Sequence, residues 1–367
     1  MSPSGLVEAP ERIGLVRLSA LGDVTHILPL IHTLRSTWPE AAITWVIGRR
    51  EAELVEGLEG VELVTLDKGA GLAGYRALGR ALRGRRFDLL LQLQTSFRAH
   101  LASLGVRAPV RLGWDRIRAR DLHGLFINRR IPFVDRQHVL DGQFGFLEAL
   151  GIRERVLDWR VPVPAAERTA AAETLPGHAP TLIISPGASN PLRNWPVERY
   201  CELADIATER HGLRVLLTGG PSTLERELAD AICAGTRVAE PVDRVGKLTL
   251  KGLVAHMERA TALVSPDSGP AHVAACARLP VIGLYAVSNP RRTGPYLSLE
   301  HTVDGYPEAA RQYLGEEPEQ LRWGTRVEDP RAMEAVTVEA AAERLAALLA
   351  GGVRAGVGPR RSPGLSP

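Results

Sequence analysis

The feature that most constrains this chain is an alternation that runs, breaks off and begins again. Residues 13–18 are a short apolar run, interrupted only by Arg17, as expected of a buried parallel strand. Residues 24–38 follow with apolar side chains at helical spacing, closed by Pro39. Residues 42–47, 61–66 and 87–91 read as further strands, and 71–83 as a helix with Tyr75, Leu78 and Leu82 at helical spacing. Strands and helices alternating at this pitch build a parallel sheet covered on both faces. A less regular stretch, 106–130, and a helix over 137–150 come next, and the prolines of 161–164 mark an extended linker. The alternation then restarts. Strands are expected over 181–185, 213–217, 237–239, 262–265 and 281–285, with helices over 196–210, 222–233, 250–259 and 269–277 between them. The expected fold class is α/β, two doubly wound units in tandem. At about 150 residues per domain, 367 residues accommodate both. The expected division is 1–163, 164–325, a helical segment over 326–350 and a disordered Gly- and Pro-rich tail over 351–367.

Composition acts mainly by exclusion. Mean hydropathy is −0.05, and without a run of about 18 uncharged apolar residues a membrane-spanning helix is not expected. The opening MSPSGLVEAPER lacks the basic start and apolar stretch of a secretory signal. Cys201, Cys233 and Cys276 are odd in number and far apart, which argues against a disulfide framework or a CxxC site and for a reducing cytoplasm. A net charge of +3 gives no ground for a nucleic-acid partner. The only lysines are Lys68, Lys247 and Lys251, so nearly every anion must be met by arginine or by backbone N–H groups.

Doubly wound sheets bind ligands beyond the carboxyl ends of their strands, so the residues after each strand are the candidates. After the first strand, Asp23 either caps the next helix or acts as a general base at the mouth of a cleft, with His26 one turn along. The loop has no GxGxxG, so a dinucleotide fingerprint is missing. In the second half, SPGASNPLRNWP combines small residues with Ser189, Asn190 and Arg193 ahead of a helix, a plausible diphosphate cradle. Gly219 and Gly220 suit close approach to a nucleoside, and Glu225 either reaches a ribose hydroxyl or complements a helix dipole. The strongest element is SPDSGPAH, where Asp267, Ser268 and Gly269 lead into a helix carrying Pro270 and His272. The loop SNPRRTGPY follows the last strand and either lines the cleft or is solvated.

RLSALGDVTHILPL, SPGASNPLRNWP, LTGGPSTLERE, SPDSGPAHVAA and GLYAVSNPRRTGPY, in this order, resemble glycosyltransferase family 9, the ADP-heptose:lipopolysaccharide heptosyltransferases. The resemblance implies a GT-B fold, two Rossmann-like domains with the active site in the cleft between them. It implies donor binding by the second domain and acceptor binding by the first. Asp23 takes the place of the catalytic Asp. Arg193 stands where the family often has Lys, and Asp267, Ser268, Gly269 and His272 map onto the donor-binding helix start. The expected reaction is an inverting displacement, with Asp23 taking the acceptor's proton while Arg193 and loop N–H groups hold the departing diphosphate. No Asp-x-Asp occurs and the histidines lack ligand spacing, so no metal or cofactor is expected.

Residues 106–130 carry seven Arg against two Asp. Arg111, Arg116, Arg118 and Arg120, with His26, are therefore candidates for a phosphorylated glycolipid acceptor of the Kdo–lipid A type. The same charge suits peripheral contact with the cytoplasmic face of an anionic inner membrane, or a merely solvated surface. The competing readings are a glycosyltransferase of this fold using another nucleotide sugar, a nucleotide-sugar epimerase, and a binding protein without catalysis. A nicotinamide-dependent oxidoreductase is disfavoured by the missing glycine fingerprint.

Overall fold

The computed structural model describes residues 9–177 and 179–351. Nearly all of the expected tail, residues 352–367, lies outside the described residues. In the first half, β1 (Arg12–Val16), β2 (Ala42–Gly48), β3 (Val61–Leu66), β4 (Leu89–Gln92), β5 (Val110–Gly113) and β6 (Arg129–Arg130) form one parallel sheet. Its order is β3-β2-β1-β4-β5-β6. In the second half, β7 (Thr181–Ile184), β8 (Arg214–Leu217), β9 (Val242–Asp243), β10 (Ala262–Pro266), β11 (Val281–Tyr285) and β12 (Val303–Asp304) form another. Its order, β12-β11-β10-β7-β8-β9, is the first one repeated. Each sheet therefore reverses direction beside its own first strand, between β1 and β4 and between β7 and β10. Open α/β sheets receive ligands at that point.

The central strands are apolar because both their faces are covered. Ile13, Leu15, Val16, Leu89, Leu90 and Leu91 are wholly buried, as are Leu182, Ile183, Ile184, Leu263 and Val264. Each side chain of this size stabilises the fold by about 1.5–3 kcal/mol. The terminal helix, Val338–Ala350, buries Val338, Ala341, Leu345 and Leu348 in the second core. Trp195 Nε1 donates to Val336 O at 2.7 Å just before it. No described helix is long and apolar enough to cross a membrane.

Three expectations need correction. Residues 24–38 are not one helix but two, Leu21–Thr25 and Ile27–Thr37. Pro29 has no N–H to offer Thr25 O, so the ladder breaks at His26. Residues 237–239 form no strand; the edge strand is β9, further on. The Asp205 carboxylate accepts from the backbone N–H groups of Arg237, Val238 and Ala239 at 2.8–3.1 Å, removing the donors a ladder would use. The 269–277 helix is α-helical only over Gly269–Val273, then tightens to a 3₁₀ turn over Ala274–Ala277. The less regular stretch 106–130 contains β5 and β6.

The two halves touch through the elements that follow their first and fourth strands. Helix Leu21–Thr25 packs on helix Gly269–Val273. A Cβ on Gly22 would stand 2.6 Å from His272 Cδ2, so only glycine permits the approach. Elsewhere, Lys251 Nζ donates to Glu56 O at 2.6 Å.

Candidate active site at the domain cleft

Asp23 stands in the short helix after β1, its side chain 39% exposed. It is ion-paired with Arg17, at the end of the same strand. Arg17 is itself fixed, because its Nη1 donates to Leu93 O beyond β4 at 2.9 Å. The carboxylate is thus held from behind and open in front. It caps the helix weakly, through a 3.3 Å bond from Ala20 N. Arg17 was not among the sequence candidates, although its place at the strand end was a usable signal.

Opposite lie the loops after β7 and β10. Asn190 Oδ1 accepts from Leu192 N at 3.2 Å and so starts the 3₁₀ turn Pro191–Arg193. That turn aims Arg193 at Asp267. Arg193 Nη1 donates to Asp267 O at 3.1 Å and stands 3.2 Å from Asp267 Oδ2. Asp267 is buried, and burial alone would raise its pKa. His272 and Arg193 outweigh burial and hold it below the ordinary carboxylate range. His272 Nε2 is 3.9 Å from Asp267 Oδ1, an electrostatic rather than a hydrogen-bonding distance. Ser268 shares a 2.8 Å hydrogen bond with Ser265. Gly269 lies against Leu21 of the first half, where an added Cβ would stand 3.4 Å from Leu21 Cδ2. Asp267 is thus the partner of the buried arginine, which accounts for a carboxylate at a helix start.

The loop after β8 closes on itself. Glu225 accepts from Gly220 N at 2.7 Å and from Ser222 Oγ at 2.7 Å. An added Cβ on Gly187 would lie 2.6 Å from Glu225 Cγ, and one on Gly220 2.9 Å from Glu225 Oε2. Gly219 crowds the same side chain. The Gly-Gly pair makes room for Glu225 itself. Ser189, in the loop after β7, is exposed.

The candidates of the first half separate. His26 is 3% exposed, packed edge-on against His272 and His138 at centroid distances of 5.0 and 5.8 Å. Burial pushes its pKa well below the ordinary value. It is part of the contact between the halves, not an open acceptor contact. Arg111 is also withdrawn from the surface. Its nitrogens donate to Phe126 O, Val106 O and Ser103 O at 2.6–3.0 Å, holding the loop together. Arg118 pairs with Asp115, donates to Gln137 Oε1 at 2.8 Å and stacks on Trp114. Arg116 and Arg120 remain exposed.

His138 and Arg292 complete the cleft without having been singled out. His138 Nδ1 accepts from Leu140 N at 3.1 Å, so Nε2 carries the proton and donates to Gly294 O of the other half at 3.0 Å. Burial pushes the His138 pKa down to about 4. Arg292 lies in the loop after β11, within electrostatic reach of Asp23 and Asp267. A groove of about 460 Å³ opens at the β1–β4 switch point, lined by Ser19, Gln94, Ser96, Tyr75 and Phe97. Among the described residues, no three His, Cys, Asp or Glu side chains come together as metal ligands.

The sequence model of glycosyltransferase family 9 (heptosyltransferase) matches residues 75–321. The chain belongs to glycosyltransferase family 9. This family 9 glycosyltransferase is 35% identical to the lipopolysaccharide core heptosyltransferase OpsX of Haemophilus influenzae, over 90% of this chain and 95% of that protein. Its fold matches the crystal structure of a family 9 glycosyltransferase from Veillonella parvula, with a TM-score of 0.77, 24% identity, and 96% and 100% of the two chains covered. It also matches the Escherichia coli heptosyltransferase WaaC with ADP, with a TM-score of 0.69, 20% identity, and 92% and 99% covered. The two sheets are those of the GT-B fold that the motifs implied.

Proposed function

We propose that this enzyme transfers a heptose from ADP-heptose to the inner core of lipopolysaccharide, on an acceptor of the Kdo–lipid A type, by a single inverting displacement. Asp23 is the general base. The observation that carries the reading is the opposition of two carboxylate–arginine pairs across one cleft. Asp23 with Arg17 is half-open on the first sheet, and Asp267 with Arg193 is buried on the second. An open carboxylate takes a proton, and general-base help of this kind contributes about 10²–10⁴-fold. A buried guanidinium held by Asp267 is pre-aimed at a diphosphate and needs no reorganisation as negative charge develops. The similarity to a core heptosyltransferase supports the acceptor class, and the solved neighbour with ADP supports the donor nucleotide.

On this reading Ser189, Asn190 and the turn before Arg193 face the diphosphate. Gly219, Gly220 and Glu225 edge the nucleoside, and Ser268, Gly269 and His272 close over the sugar. Arg116 and Arg120 remain for the acceptor. Exposed Ile117, Leu122 and Leu125, at 65%, 67% and 78%, interleave with these arginines. That mixture suits the cytoplasmic surface of the inner membrane, where each nearby basic residue contributes about 1 kcal/mol.

The test is transfer from ADP-heptose to Kdo–lipid A with chelator present, followed by the anomeric configuration of the product. The reading expects turnover with inversion, lost in Asp23→Asn while ADP still binds. Retention of configuration, or full activity in Asp23→Asn, refutes the assignment of the base.

A further inference from the structure

Two arginines, Arg120 and Arg326, stand within electrostatic reach of a third, Arg292, beside the cleft. Arg292 follows β11 in the turn Pro290–Thr293, which Asn289 starts by accepting from Arg291 N at 3.0 Å. The Arg292 side chain lies across Gly324, where an added Cβ would stand 3.0 Å from Nε. Two residues on is Arg326, exposed, its segment pinned to the β11 loop by Val327 N donating to Val287 O at 3.0 Å. The same segment reaches the first half, since Trp323 Nε1 donates to Gln137 O at 2.8 Å. Arg120, exposed, comes from the first half, its backbone held by His123 N donating to Arg120 O at 2.9 Å. Burial does most to lower the Arg292 pKa, and Arg326 and, more weakly, Arg120 add to it as repelling charges. Asp23 and Asp267 attract it from a distance, but each is already paired, with Arg17 and Arg193. Among the described residues, none of the three guanidiniums has an ion-pair or side-chain hydrogen-bond partner.

Like charges held together at a half-buried position are unfavourable until an anion joins them. We infer that Arg120, Arg292 and Arg326 form an anion site for a phosphate or carboxylate on the acceptor sugar, placing its hydroxyl against Asp23. This rests on the acceptor reading above and deepens it. Two features favour the acceptor over the donor diphosphate. Arg120 belongs to the first half, and Arg292 lies within electrostatic reach of Asp23, the group that receives the acceptor's proton. The donor diphosphate has its own cation in Arg193, which is buried and tied to Asp267. An anion brought beside the Asp23 carboxylate would be repelled without such a clamp, and guanidinium forks match both oxyanion geometries.

The test compares the full-length wild type with Arg292→Gln, Arg292→Lys and Arg326→Gln. Each is assayed with ADP-heptose and three acceptors: Kdo–lipid A carrying a phosphate ester on the sugar, the same acceptor after phosphatase, and its carboxyl methyl ester. Arg292→Gln is expected to raise the acceptor KM about tenfold to a hundredfold, with ADP affinity by calorimetry unchanged. Arg292→Lys recovers part of the loss, which shows that the variants fold. The defect disappears on whichever acceptor lacks the recognised group, which tells phosphate from carboxylate. A defect that persists on both altered acceptors overturns the site. Weakened ADP binding with an unchanged acceptor KM also overturns it and gives Arg292 to the donor. If the wild type does not use ADP-heptose at all, the parent reading fails and the site falls with it.

Discussion

Asp23 and Asp267 are both carboxylates beside an arginine, and their surroundings give them different work. Asp23 is open on one side, so its loss removes chemistry without removing structure. Asp23→Asn is expected to lower the rate of transfer by about 10²–10⁴-fold and leave the ADP dissociation constant within twofold, as read by steady-state rates and calorimetry. Arg193 is different because it holds Asp267 as well as facing the proposed diphosphate. Arg193→Ala should weaken ADP binding about tenfold to a hundredfold, and by leaving a buried carboxylate unpaired it should destabilise the fold by about 3–5 kcal/mol in urea unfolding. At this scale the sequence showed which loops gather at one end of each sheet, because loops after parallel strands must lie there. It did not show which arginines are free. Arg111 and Arg118 look like Arg116 and Arg120 in the sequence, and only the fold brings carbonyls and carboxylates around the first two. His26 misled for a similar reason: its helix turns it into the contact between halves, away from solvent.

Strands and helices were legible wherever apolar periodicity decided them. Residues 61–66 and 281–285 have the same bounds in the sequence reading and in the structure, and both are strands packed within a sheet. What escaped were elements decided by polar contacts. The 237–239 stretch has strand-like composition, yet Asp205, more than thirty residues earlier, captures its N–H groups. No periodicity contains that information. Asp205→Ala should therefore destabilise the protein by about 2 kcal/mol by chemical denaturation, with ADP affinity unaltered because the loop is remote from the cleft. An unchanged midpoint would show that these hydrogen bonds are replaced by water at little cost. The break at His26 is legible afterwards from Pro29, which a helical reading of 24–38 passed over.

The whole molecule is one sheet order used twice, with the helices that follow β1 and β10 packed against each other. Its halves meet around His26 and His138, and these two make the contact sensitive to acid. Burial lowers the His26 and His138 pKa values, the second to about 4, so both imidazoles are neutral in the folded protein. In the unfolded chain they protonate near 6.5. The stability they contribute is complete above about pH 6.5 and is lost as the pH falls towards 4. His138→Gln should accordingly show a shallower fall in Tm between pH 7 and 4.5 than the wild type, and parallel curves would contradict the assignment. The proposed donor is an adenosine diphosphate held by the chain's own cations, and the decisive measurement is calorimetric titration with ADP, GDP and UDP in the presence of chelator. ADP should bind in clear preference to the other two, less tightly in Arg193→Ala and unchanged in Asp23→Asn; equal or stronger binding of UDP or GDP would rule out that donor.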